Sequence, residues 1–157
     1  MQTAYTREPV SAVAGGIARG TPEIDSAIID GANCSAGLLV IAGTNQEDVK
    51  VPTATFSTGF RGILNHNHLH VSNDFVDNEQ VSVVRKGFVW VPYEVDTVPT
   101  HDTPVYARHA ANGAGKLVLG KARANADTGA VVVPGAMFRR IDSAAGLAEV
   151  ELSGAVN

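Results

Sequence analysis

Val81-Ser82-Val83-Val84-Arg85-Lys86-Gly87-Phe88-Val89-Trp90-Val91-Pro92-Tyr93-Glu94-Val95 holds the only tryptophan of the 157-residue chain, one of its five phenylalanines and one of its three tyrosines. Side chains alternate across a strand, so from Phe88 onward Phe88, Trp90 and Pro92 share one face while Val89, Val91, Tyr93 and Val95 share the other. A strand apolar on both faces is buried on both, against a second sheet or another chain. The stretch therefore predicts the centre of a packed β-domain, with a hinge near Lys86-Gly87 that divides it into two strands.

Outward from this centre the chain reads as short strands separated by turn residues. Gly37 to Gly43 encloses the apolar run Leu38-Leu39-Val40-Ile41-Ala42, and Val49 to Val51 is a short strand ended by Pro52. Phe60 to Leu64 leads into a further strand over Asn65 to Val71. On the other side lie Val105 to Arg108, Lys116 to Leu119, Ala130 to Val133, Met137 to Ile141 and the cleanly alternating Leu147 to Leu152. No window carries an apolar stripe at helical spacing. Many short strands with turns every eight to twelve residues predict an all-β fold, a compact barrel or sandwich. Residues 1–36 have few large side chains, with the small-residue run Ala12 to Gly20, and are expected to form an extended N-terminal arm on a single β-domain spanning 37–157.

Composition bounds the function. At this length one domain buries roughly 70% of its extended-chain surface, enough for a core without disulfides or a structural metal. The single cysteine, Cys34, excludes an intramolecular disulfide. No basic start followed by an apolar core marks a signal peptide, and the longest apolar run is far short of the roughly 20 residues of a membrane helix. A soluble chain made in the cytoplasm is expected. The net charge is −4, and only Arg85-Lys86 and Arg139-Arg140 place basic residues side by side. Binding a phosphate backbone needs a clustered positive field, so no nucleic-acid partner is expected. Arginine outnumbers lysine eight to four, and charged residues make up 18% of the chain against about 25% on average. Both trends lean towards protein contacts, whose cores are enriched in arginine and aromatics.

Three motifs invite a chemical reading. His66, His68 and His70 would share a face of a strand, and imidazoles spaced this way can hold zinc. Alternate residues stand roughly 6.5–7 Å apart on a strand, however, so the outer pair cannot readily share one ion. No glutamate or cysteine sits beside them. A solvated or interface face is the reading adopted, with no metal and no cofactor. Asn112-Gly113-Ala114-Gly115-Lys116 imitates a phosphate loop, but Ala110 stands where the first glycine belongs and Leu117 replaces the Ser or Thr after lysine. The dinucleotide fingerprint fails at Val118. The nearest approach to a Gly-x-Ser-x-Gly elbow is at Ser35, where Asn33 replaces the first glycine. Nothing supports an enzyme or a small-molecule substrate.

The order of segments carries a resemblance. A glycine-bounded strand over Ala36 to Gly43 follows Ala12-Val13-Ala14-Gly15-Gly16-Ile17. Then come Phe60-Arg61-Gly62-Ile63-Leu64, the Gln80 to Val91 strand and Asp102-Thr103-Pro104-Val105-Tyr106. Arg139-Arg140-Ile141 and Gly146-Leu147-Ala148-Glu149-Val150-Glu151-Leu152 close the series. This series, from about residue 10 to 152, resembles the capsid cement, or head decoration, proteins of tailed bacteriophages, which show a "vsVl..G.vwV" strand, a "Gd.Vyv" turn-strand and a "glA.V.l" end. His101-Asp102 departs from the usual Gly-Asp, and the His66–His70 run lies outside the pattern.

The resemblance implies a virion structural protein on the outer surface of an icosahedral capsid. It would bind the major capsid protein, bridge its neighbouring subunits and form a homo-oligomer. Ile17, Arg19 and Ile24 of the arm, Phe88, Trp90 and Tyr93 of the central stretch, and the Arg139-Arg140 pair are the residues expected at contacts. The competing reading is a carbohydrate- or metal-binding β-module of a virion or host-surface protein, for which the histidines and Trp90 would be the features.

Overall fold

In the computed structural model, residues 12–53, 56, 59–69 and 72–154 are described. They form β1 (Ile17–Ile29), β2 (Cys34–Ser35), β3 (Leu39–Ala42), β4 (Asp48–Lys50), β5 (Phe60–Leu64), β6 (Asp74–Phe75), β7 (Gln80–Pro92), β8 (Pro104–Arg108), β9 (Ala122–Arg123), β10 (Ala130–Asp142) and β11 (Leu147–Leu152). The fold is all-β. Nine strands make one mixed sheet in the order β1-β4-β3-β5-β7-β11-β10-β8-β9, and β2 pairs with β6.

The stretch Val81–Val95 yields one unbroken strand, β7, and the expected hinge is a change of partner. Val83 and Val84 pair with β5, whereas Gly87 to Pro92 pair with β11. β1 runs antiparallel along the opposite edge over almost the whole length, from Ile28↔Gln80 to Ile17↔Val89. Because β1 also pairs in parallel with β4, the strands β1, β4, β3, β5 and β7 close a ring. A parallel bridge from Tyr93 to Ala122 likewise brings β9 back to the end of β7. β7 is common to both halves.

This connectivity buries both sides of β7 before Gly87, but beyond it Val89 and Val91 are buried whereas Phe88, Trp90 and Pro92, expected to be buried too, are only half-buried. One core gathers Leu39, Ile63, Val84, Val89, Val91 and Phe138, and the other Val40, Leu64, Val81, Val83, Ile29 and Phe75. Neighbours Leu39/Val40, Ile63/Leu64 and Val83/Val84 point to opposite sides of the β3-β5-β7 layer, and all six are no more than 2% exposed. Such packing leaves no room for a side chain at Gly62 (φ +144°), where a Cβ would meet the Val84 carbonyl oxygen at 2.2 Å and Val83 Cγ1 at 2.8 Å. Gly62→Ala is expected to lower stability by about 1–3 kcal/mol in urea unfolding, the cost of overpacking a filled site. A variant as stable as wild type would contradict this packing.

Several expectations are corrected. Asn65 to Leu69 is not a strand: Leu69 N–H bonds to Asn67 Oδ1 at 2.9 Å and turns the chain, while His70 and Val71 lie outside the described residues. Lys116 to Leu119 is loop, with the short β9 following it. Ala130–Val133 and Met137–Ile141 are one strand, β10, whose register shifts across Pro134-Gly135 as its pairing passes from β8 to β11. Val95 lies beyond β7 and is 77% exposed. Of the expected arm over 1–36, residues 17–29 form β1 within the sheet, and residues 1–11 lie outside the described residues. The small residues before β1 serve close packing, since a Cβ on Gly15 (φ +77°) would meet Leu64 O at 2.6 Å and His66 N at 2.8 Å. Gly15 N–H donates to Trp90 O at 2.7 Å, and Trp90 N–H donates to Gly16 O at 2.9 Å.

Candidate functional site: an arginine–aromatic face

Register assembles one face from four strands. Across β1, β7, β11 and β10, Arg19 stands opposite Phe88, Phe88 opposite Glu151, and Glu151 opposite Met137. One row over, Trp90 stands opposite Glu149 and Glu149 opposite Arg140. The Arg19 guanidinium lies 4.0 Å above the Phe88 ring centre and that of Arg140 lies 5.4 Å from the Trp90 ring centre. Both are within cation–π range.

A single carboxylate organises the two arginines. Glu149 is wholly buried, whereas the Arg19 and Arg140 side chains are 53% and 55% exposed. Arg19 Nε and Nη2 reach Glu149 Oε1 at 3.1 and 3.0 Å. Arg140 Nε donates to Oε2 at 2.7 Å, and its Nη2 bonds to the same oxygen. Two cations thus bracket one anion on a face of half-buried aromatic rings, with Glu151 opposite Phe88 in the neighbouring row. The ring contacts and the shared carboxylate restrain both guanidinium groups, so they have less rotamer freedom left to lose.

The remaining expected contact residues fall elsewhere. Arg139 bonds to Glu151 and to Asp102, which His101 also meets at 3.1 Å. Ile24 is 44% exposed on β1, and Ile17 packs half-buried against the first core. Tyr93 is 3% exposed inside that core and offers no surface.

A second charged assembly, unforeseen from sequence, lies at the end of β7. Arg108 forks onto Glu94 through Nε and Nη2, both at 2.7 Å, and onto Asp127 at 2.9 and 2.8 Å. Arg123 Nη1 donates to Glu94 Oε2 at 2.5 Å and stands 3.3 Å from Asp127 Oδ2. Lys116 closes the set at 3.2 Å from Asp96. Hydrogen bonds from Arg108 hold the Asp127 carboxyl well below the usual carboxylate range, against the effect of burial, and those to Glu94 push the Arg108 guanidinium up. Burial pushes Asp96 up, but the Lys116 hydrogen bond and the Arg123 charge outweigh it and set it below its ordinary value. Three cations meet three anions, and the set is structural.

Cys34 is 1% exposed and its thiol is pushed up by burial, the reverse of an activated nucleophile. Among the described residues no group of three or more potential metal ligands converges. His66 and His68 sit in the loop after β5 with ring centres 4.7 Å apart.

The described residues thus form an all-β domain in which half-buried Phe88 and Trp90 lie beside two partly exposed arginines that share one buried carboxylate. A family model described as structural cement protein (E217 gp24/Pam3 gp6) matches residues 1–153. The chain belongs to this family of phage structural cement proteins, and its role is a structural one in a phage capsid. Among solved structures, a chain of "The capsid of Myoviridae Phage XM1" superposes with a TM-score of 0.76 at 18% identity, covering 98% of this chain and 97% of that one. At that identity the likeness is one of fold. No curated protein matches significantly.

Proposed function

We propose that this chain binds the outer surface of an icosahedral phage shell, contacts the major capsid protein and bridges its neighbouring subunits. The match of the cement family over residues 1–153 carries this reading. The physics is that of linkage. A protein that binds the assembled shell and not its opened form stabilises the shell by mass action, and repetition multiplies modest contacts. No enzymatic step, cofactor, nucleic acid or membrane enters this role, and the chain would be made in the host cytoplasm and kept in the virion. The part of the expected 1–36 arm that precedes β1 would lie across capsid subunits or sister copies. The test is reconstitution: purified chain added to expanded shells lacking it should saturate defined sites on the outside and raise the temperature at which the shells open. Shells that neither take it up nor gain stability would overturn the proposal.

The Arg19/Phe88/Trp90/Arg140 face is proposed as a contact between copies. Tryptophan and arginine dominate interface hot spots, where truncation costs about 2 kcal/mol or more, roughly a 30-fold loss of affinity. Trp90→Ala should weaken self-association by that factor in analytical ultracentrifugation while the variant stays folded. A wild-type chain that sediments as a monomer at high micromolar concentration would sink the idea.

A further inference from the structure

The face above leaves unexplained the loop that carries His66 and His68. Its rings stand edge to face, with centres 4.7 Å apart and planes at 88°. His66 Nδ1 is buried and has no hydrogen-bond partner, alone in this among the side-chain atoms of the described residues. A buried polar atom without a partner costs on the order of 1–3 kcal/mol. The two imidazoles border a cavity of about 470 Å³, which Ser26, Asn65, Gln80 and Ser82 also line. No carboxylate, lysine or arginine side chain is among its described lining residues.

Ligand geometry decides what this pair can hold. An imidazole nitrogen binds a transition ion at about 2.0–2.1 Å, which sets the ring centre roughly 3.2 Å from the metal. Two such rings at 90–109° about one ion then have centres about 4.5–5.2 Å apart. The observed 4.7 Å falls inside that window. The objection drawn from strand spacing no longer applies, because the residues lie in a turn and not on a strand. Their position is fixed by the fold: His66 N–H donates to Gly15 O at 3.0 Å, and Asn65 N–H to Ser82 O at 2.8 Å.

We propose that His66 and His68 form a two-imidazole site for one divalent transition-metal ion of the copper, nickel or zinc type. Imidazole suits these ions, whereas a lining without carboxylates does not suit calcium or magnesium. The remaining coordination positions open into the cavity, where water completes the shell within reach of hydroxyl and amide groups. Two protein ligands make it an open site of modest affinity rather than a closed structural centre.

Titrating the full-length chain with Cu²⁺ tests this, using calorimetry for stoichiometry and electron paramagnetic resonance for the ligand set. The expected result is one Cu²⁺ per chain with two equatorial nitrogens. Outer-shell partners of metal sites are already worth about 10–100-fold, so losing a ligand should weaken binding by at least that much. His68→Asn, at an exposed side chain, and His66→Asn should each do so and remove one nitrogen from the spectrum. His101→Asn should change neither. Absence of Cu²⁺ binding, or a two-nitrogen spectrum that survives both loop variants, would overturn the proposal.

Discussion

Arg108→Ala is expected to destabilise the domain by about 3–5 kcal/mol in urea or thermal unfolding, the cost of leaving buried charges uncompensated. The Arg108 side chain is wholly buried, Glu94 is 2% exposed, and four hydrogen bonds from this one guanidinium satisfy Glu94 and Asp127. Arg123 remains beside both carboxylates and limits the loss, but it cannot supply the missing fork. An intact buried pair is itself worth little against a well-packed apolar substitute, because desolvation offsets most of its attraction. Arg108→Met combined with Glu94→Leu should therefore be less damaging than Arg108→Ala alone, with Asp127 still facing Arg123 and Lys116. A single variant costing less than about 1 kcal/mol would show that water reaches the network.

The same network sets an acid limit. The Asp127 pKa is depressed in the folded state from its ordinary value of 3.8, so the stability it contributes is fully present above that value. It is lost as pH falls from there towards the folded pKa, since the unfolded chain takes up the proton first. Asp127→Asn should flatten the acid limb of the stability profile below about pH 4 as well as lower the plateau at neutral pH.

Legibility from sequence followed the physics of alternation. β7, β11 and most of β10 were visible because alternate residues face packed layers, and Leu147-Ala148-Glu149-Val150 kept that rhythm. β1 was hidden. Its residues 19–26 are mostly exposed, include Gly20 and Pro22, and pair with β7 through register shifts at Arg19 and Glu23. No periodicity survives such bulges. The histidine run looked like a strand because its histidines fall at alternate positions, but the Asn67 side chain captures Leu69 N–H and turns the chain. The buried network draws on residues from Glu94 to Asp127, and a sequence shows their charges without showing that they converge. One signal was available: Arg108 and Arg123 end short strands beside residues that alternate into the core. Four of the eight expected contact residues, Arg19, Phe88, Trp90 and Arg140, fall on one face, and the Glu149 that joins them was missed although its strand was read. Alternation put Glu149 on the side of Leu147 and Glu151, but only the β7–β11 register sets it opposite Trp90.

Glu149 supplies an asymmetry that a double-mutant cycle can expose. Removing both arginines, as in Arg19→Ala/Arg140→Ala, leaves a fully buried carboxylate without a cation, and should cost about 3–5 kcal/mol. Removing the acid instead, as in Glu149→Gln, leaves two guanidinium groups that are more than half exposed and can hydrate, and the amide still accepts a hydrogen bond. That variant should lose only about 1–2 kcal/mol. The single arginine variants should each cost less than half of the double, because one guanidinium still meets the carboxylate. The coupling between them should be about 0.5–3 kcal/mol, the range for residues sharing one partner. Urea unfolding of the five chains measures every term. If Glu149→Gln proved as damaging as the double arginine variant, burial of the carboxylate would not be what ties β1 to β10 and β11. If the arginine effects simply added, Glu149 would not be shared. The hierarchy also bears on the proposed contact between copies. Arg140→Lys keeps the charge but loses the paired Nε and Nη2 donors onto Glu149, so it separates the need for a cation from the need for a guanidinium group. A face that works through its geometry should lose self-association in Arg140→Lys with little change in net charge or fold.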